Sequence, residues 1–189
     1  MRESVYLVRH ATPDWSRVDI RYDIPPGPPL TPQGEAEAGQ LGAFLQEAGI
    51  RRIYASPMER ARRTAALAAA QVDLDVVEAL AINEWQRGES GEAVLQRFLS
   101  FWEAALTEST TVGPIALVSH GGPIRLLLGH LQLPTAEIDF YRKQFDRDNP
   151  LPPAGVWHVT REHQQTPWVL NLAFTPQPFK RYEPQAASL

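Results

Sequence analysis

The chain has 189 residues, enough for one domain with a full core. A net charge of −4 offers no general attraction to nucleic acid or to an anionic membrane. The absence of cysteine excludes disulfides, thiolate catalysis and zinc–thiolate sites.

The chain opens on Met-Arg-Glu-Ser, and an apolar strand from Ser4 to Arg9 follows at once. No run has the length of a signal-peptide core or a membrane span, so the sequence reads as cytoplasmic. Thr12 to Leu30 is rich in Pro and Gly and reads as one long loop, a length often associated with function. Thr31 and Pro32 start a helix as N-cap and first helical residue. Leu41, Phe44, Leu45 and Ala48 then repeat at helical spacing, and Gly49 ends the helix. Arg52 to Ala55 is a short strand. Ser56 and Glu59 read as a capping box for a helix running to about Gln71. A strand over Leu74 to Val77 and a strand-like run at Leu80 to Ile82 follow.

Ser90 to Glu108 is helical, with Val94, Phe98, Phe101, Trp102 and Ala105 on one face. It reads as part of an insert over about 85–110, placed as a small cap. Ile115 to Ser119 is a buried strand, and Gly122-Pro123 opens the next helix. Arg142 to Pro153 reads as loop. Val156 to Arg161 and Trp168 to Phe174 read as an antiparallel hairpin. The expectation is an α/β fold: a three-layer α/β/α sandwich with a mainly parallel central sheet. One domain would cover residues 1–174, with a Pro-rich tail at 175–189.

Two of the strands end in histidine, His10 and His120. In a parallel sheet, strand ends open on one edge, where α/β folds place their chemistry. Arg9 shares the first strand end. Arg60 lies in the first turn of a helix that starts at another, and Gly121 and Gly122 supply helix N-terminal amides. Two guanidiniums, two imidazoles and a helix N-terminus favour a compact, multiply charged anion such as phosphate. Nearby positive charge keeps an imidazole neutral and nucleophilic. Glu84 is the carboxylate best placed to serve a leaving group, with Glu78 and Glu89 as neighbouring alternatives. His130 reads as structural, and His158 and His163 have no evident partner. No His-x-x-x-His or carboxylate cluster has the spacing of a metal site.

Four stretches then match a known pattern in order. Leu7-Val8-Arg9-His10-Ala11 resembles an Arg-His-Gly signature, and Leu30-Thr31-Pro32-Gln33-Gly34 resembles a Leu-Thr-x-x-Gly helix start. Residues Ser56 to Ala65 resemble Ser-x-Leu-x-Arg-Ala-x-x-Thr-Ala, and Val118 to Gly122 resemble a second-histidine motif. Together they resemble the histidine phosphatase superfamily, the phosphoglycerate mutase-like fold. The resemblance implies His10 as nucleophile, Glu84 as acid and base, and Arg9, Arg60 and His120 as phosphoryl ligands, with no metal or other cofactor. The chain departs from the pattern at Ala11, at Thr12-Pro13 and at Ser16. Ser16 stands where many relatives carry a phosphate-holding Asn, and is expected to hold phosphate more weakly.

The expected activity is a metal-independent phosphatase acting on a small phosphorylated metabolite or a phosphorylated side chain. Nucleic acid and membrane are not expected as partners, and the sequence sets no oligomeric state. Two alternatives are a phosphoglycerate-type mutase and a silent phosphate-binding module. A mutase would need further basic residues after Glu84, where Trp85 to Glu92 holds one arginine and two acids.

Overall fold

The computed structural model describes residues 2–145 and 148–179. Most of the expected Pro-rich tail, 180–189, lies outside the described residues.

Twelve segments follow in chain order: β1 Glu3–Arg9, α1 Pro32–Glu47, β2 Arg52–Ala55, α2 Glu59–Val72 and β3 Val76–Glu78, then a 3-10 turn at Leu80–Ile82. After it come α3 Gly91–Val112, β4 Ile115–Ser119, α4 Gly121–His130, α5 Thr135–Phe145, β5 Val156–Arg161 and β6 Val169–Phe174. The six strands form one sheet in the order β3-β2-β4-β1-β5-β6. β1, β2, β3 and β4 pair in parallel, whereas β5 runs antiparallel to both β1 and β6. The expected mainly parallel sheet and C-terminal hairpin are both present.

Strand alternation sorts the core into two clusters. Val5 and Leu7 of β1, with Ile115 and Leu117 of β4, pack under α3 and α4. Tyr6 and Val8, with Ala116 and Val118, pack under α1 and the alanine face of α2. Every residue of β1 and β4 is buried, as expected for central strands covered on both faces. Each fully buried Leu or Ile there contributes about 1.5–3 kcal/mol of transfer free energy.

Four local expectations are corrected. The stripe at Phe98 and Trp102 does not sit in a cap over the sheet: it lies on the sheet in the first core cluster. The loop expected from Arg142 begins later, because Thr135–Phe145 is a helix that buries little beyond Ile138 and Phe145. Leu80 to Ile82 is a 3-10 turn, with Leu80 72% exposed, so no strand leads directly into Glu84. Ser56 is not the cap of α2: Met58 holds that position, with no side-chain cap bond. By contrast Thr31 caps α1 as expected, its Oγ1 accepting from Gly34 N at 3.0 Å.

Gly34 shows why this helix start needs glycine. A Cβ there would lie 2.2 Å from the carbonyl oxygen of Thr12. That close approach seats the chain leaving β1 against α1. Glu37, buried on α1, then accepts from both the Thr12 N–H and the Thr12 hydroxyl at 2.8 Å. Burial raises the Glu37 pKa, while the Thr12 and Gln33 hydrogen bonds restrain the rise. The loop from Thr12 to Leu30 closes on itself through a bridge between Pro13 and Leu30.

Candidate functional site

Sheet register brings the two histidines together. Arg9 pairs with Ser119, so His10 and His120 follow directly at adjacent strand ends. The His10 N–H donates to Ser119 O at 2.9 Å. The ring centroids lie 5.2 Å apart at 57°. Arg9, His10, Arg60, Glu84 and His120 are all buried around this point.

His10 has a defined tautomer. Its Nδ1 lies 2.8 Å from Ala11 O, which can only accept, so Nδ1 carries the proton. Nε2 keeps its lone pair and accepts from the Tyr22 hydroxyl at 3.2 Å. Burial, followed by the charges of Arg60, His120 and Arg9, holds the His10 pKa well below 6.5. The ring is therefore neutral at pH 7.

Glu84 sits between Arg60 and His120. Arg60 Nη2 donates to Glu84 Oε2 at 2.9 Å, and His120 Nδ1 lies 3.2 Å from the same oxygen. The Trp85 N–H donates to Oε1 at 2.8 Å. Burial opposes ionisation of Glu84, but His120, Arg60 and the Trp85 amide outweigh it and hold the pKa far below the usual carboxylate range. Of the two alternatives, Glu78 is exposed at the sheet edge and Glu89 is ion-paired to Arg97.

His120 is under opposing influences. Its Nε2 lies 2.7 Å from Ser56 Oγ, and the Ser56 hydroxyl donates to Asn83 Oδ1 at 3.2 Å. With its single proton committed, Ser56 accepts from His120, so both ring nitrogens face acceptors, an arrangement suited to imidazolium. Burial is the larger effect and lowers the pKa below 6.5, while Glu84 pulls it back up. A dianion arriving nearby would favour the doubly protonated ring.

Arg9 donates through Nη1 to Leu151 O at 3.0 Å. Arg60 donates to Tyr22 O at 3.0 Å, and its guanidinium lies 3.7 Å from the centroid of the Tyr22 ring. A cleft of about 380 Å³ opens over His10, lined by Arg9, Trp15, Tyr22, Glu84, Trp85 and Gly121 among others. A Cβ on Gly121 would stand 1.9 Å from Asn149 Oδ1, so the close approach of that side chain favours glycine here. α4 starts at that residue and turns the positive end of its dipole to the cleft.

Six of the seven expected site residues thus gather in one place: Arg9, His10, Arg60, Glu84, His120 and Gly121. Ser16 does not join them. It is exposed, and Asp14 Oδ1 accepts from both its hydroxyl at 2.6 Å and its N–H at 3.0 Å. A carboxylate two residues away captures it in a local turn. Sequence reasoning missed Tyr22, which lies in a loop without periodicity, and Trp85. It also misread Ser56 as a helix cap rather than the partner of His120. His158 does have partners: it lies 2.9 Å from Ser4 Oγ and stacks on Tyr6. His130 lies exposed in the last turn of α4.

His10, Glu84 and His120 place their potential ligand atoms within 4.8 Å of one another. Three distant segments supply them, so no local spacing could reveal the trio. Two imidazoles and a carboxylate are a donor set that zinc accepts. Arg60, 2.9 Å from Glu84, already neutralises the carboxylate and sets the environment against a cation. Among the described residues, no helix is long and apolar enough to cross a membrane.

The family model described as the histidine phosphatase superfamily (branch 1) matches residues 5–89 and 80–169. The probable phosphoglycerate mutase GpmB of Escherichia coli is 37% identical over 73 residues. That match takes in 39% of this chain but only 34% of the curated relative's length. Among solved structures, a mycobacterial glucosyl-3-phosphoglycerate phosphatase superposes with a TM-score of 0.66 at 20% identity, covering 90% of this chain and 97% of its own. A phosphoglycerate mutase from Bacillus anthracis gives 0.71 at 15% identity, covering 90% and 92%. A phosphoserine phosphatase mutant from Entamoeba histolytica, in complex with phosphoserine, gives 0.64 at 19% identity, covering 88% and 94%. At these identities the structures speak for the fold, and the family model speaks for the lineage: the chain belongs to branch 1 of the histidine phosphatase superfamily.

Proposed function

We propose that this protein hydrolyses phosphate monoesters through a phosphohistidine on His10, without a metal. One observation carries the reading: a neutral imidazole with its Nε2 lone pair aimed into a cleft, its tautomer held by Ala11 O, beside two guanidiniums.

The incoming phosphoryl group displaces the Tyr22 hydroxyl from Nε2. Arg9, Arg60, His120 and the Gly121 end of α4 take up its oxygens. Nε2 attacks phosphorus, the ester P–O bond breaks, and Glu84 protonates the departing oxygen. Glu84 is ionised at rest, so on the first turnover it must take that proton from solvent, and the hydrolytic step reloads it for the next. The dianion makes this possible by competing for Arg60 and raising the proton affinity of the carboxylate. Water then gives a proton to Glu84 and attacks phosphorus. The N–P bond breaks, and neutral His10 and free phosphate are restored.

A mutase reading finds less support. Arg87 is exposed, and Arg97 is committed to Glu89 and to the carbonyls of Ala81, Asn83 and Glu84. Arg97 is thus already engaged, and Arg87 is not among the residues that line the cleft.

The direct test is rapid acid-free quenching after exposure to a ³²P-labelled ester in excess EDTA. The expected result is label on His10 that survives base and is lost in acid, with steady hydrolysis unaffected by the chelator. Activity that vanishes in EDTA and returns with added metal rejects the mechanism. The pH profile gives a second check. A pKa held well below 6.5 keeps His10 unprotonated as the pH falls, so the acid limb of kcat/KM should lie below 6.5 once the ester's own ionisation is removed. A midpoint at 6.5 would contradict the lowered value.

A further inference from the structure

Glu84 carries the proton traffic of the proposed reaction, yet no strand ladder places it. The chain reaches it through the 3-10 turn at Leu80–Ile82. A general acid works only within hydrogen-bond reach of its target, so this irregular stretch must be held by other means. Arg97 of α3 holds it. Its Nη1 donates to Ala81 O at 2.8 Å and to Asn83 O at 2.9 Å, and its Nη2 donates to Glu84 O at 2.9 Å. The other two N–H groups go to Glu89: Nε donates to Oε1 at 2.9 Å and Nη2 to Oε2 at 3.1 Å. The guanidinium thereby uses all five of its N–H groups. Three close on the backbone that presents Glu84, and a carboxylate anchors the remainder.

Two hydroxyls brace the same stretch. Ser119 donates to Ile82 O at 2.7 Å. Ser56 donates to Asn83 Oδ1 at 3.2 Å, and that oxygen also accepts the Glu84 N–H at 2.7 Å. Both serines neighbour His120, one in sequence and one through its hydroxyl. Arg97 stands apart from them, because it is not among the residues that line the cleft. Its charge does act on His120, lowering the pKa of that ring, and a lysine in its place would keep the charge.

Resting on the phosphatase reading of this same site, we propose that Arg97 is a positioning residue for proton transfer: its fork holds the 81–84 backbone so that the Glu84 carboxylate meets the departing alcohol oxygen. A lysine offers three donors and no planar fork, so it preserves the charge and loses the clamp.

The leaving group supplies the test. 4-Nitrophenolate departs without a proton, whereas propanolate needs one, and kcat/KM covers only the steps up to that departure. In Arg97→Lys, kcat/KM for propyl phosphate should fall about 100-fold, against about 3-fold at most for 4-nitrophenyl phosphate. Glu89→Gln loosens the anchor while leaving the arginine in place, and should shift the ratio of the two esters the same way by a smaller factor. In a Glu84→Gln background the acid is already gone, so adding Arg97→Lys should lower both esters alike. Equal losses on the two esters in Arg97→Lys, or a further loss confined to propyl phosphate in the Glu84→Gln background, overturn the proposal. If Arg97→Lys does not fold, Glu89→Gln decides, and an unchanged ratio there overturns it. Wild-type protein that hydrolyses neither ester sinks the phosphatase reading and the positioning role with it, whereas wild-type turnover with equal losses in the variants sinks the positioning role alone.

Discussion

His10→Ala should lower turnover of any phosphate ester by about five orders of magnitude, because it removes the nucleophile and leaves only positioning and charge stabilisation. The variant loses the ring that receives the Tyr22 hydroxyl and donates to Ala11 O, both at the end of β1. The strand itself is held by ladders to β4 and β5 that do not involve the ring. Folding should therefore survive, and far-ultraviolet circular dichroism can verify it. The variant should also take up no label in the quench experiment. Residual activity above about 1% of wild type would assign the nucleophile elsewhere.

Arg60→Ala should damage both stability and activity. Arg60 is wholly buried and forms the ion pair that neutralises Glu84. Removing one partner of a buried pair strands the other charge and costs about 3–5 kcal/mol, or roughly 10 °C in Tm for a domain of this size. Activity should fall about 10²–10³-fold, as for loss of one transition-state donor. The double variant Arg60→Ala/Glu84→Gln separates the two effects. Without the stranded carboxylate it should recover much of the lost stability while remaining inactive. A single variant that melts within a degree of wild type would mean that Glu84 does not depend on Arg60 for its charge.

The parts of the fold that were legible from sequence are those with an unambiguous period or cap. Ile115 to Ser119 and Arg52 to Ala55 read correctly as strands because short apolar runs bounded by loop signals leave few options. The site was legible because two strand tips and one helix start carried His10, His120 and Arg60. α5 was missed because its sequence is mostly polar and its buried face is little more than Ile138 and Phe145. Three apolar residues at Leu80 to Ile82 cannot be told from a strand without knowing that Leu80 faces solvent. Ser56 followed three residues later by Glu59 satisfies a capping pattern that tertiary structure overrides, since a ring 64 residues away claims its hydroxyl. Tyr22 reaches His10 from a loop that Pro13 and Leu30 pinch shut and that Arg60 holds through the Tyr22 carbonyl. Nothing local in its neighbours encodes that reach.

Because Arg9 and Ser119 face each other across the central ladder, the two imidazoles cannot drift apart without unzipping the middle of the sheet. The proposed attack geometry is bolted to the least deformable part of the molecule. Trp15, Tyr22 and Trp85 hang instead from connecting segments that can be lengthened, shortened or exchanged. Those segments can be exchanged while the paired histidines keep their places, provided that a grafted 12–30 loop again offers Arg60 the carbonyl that Tyr22 supplies.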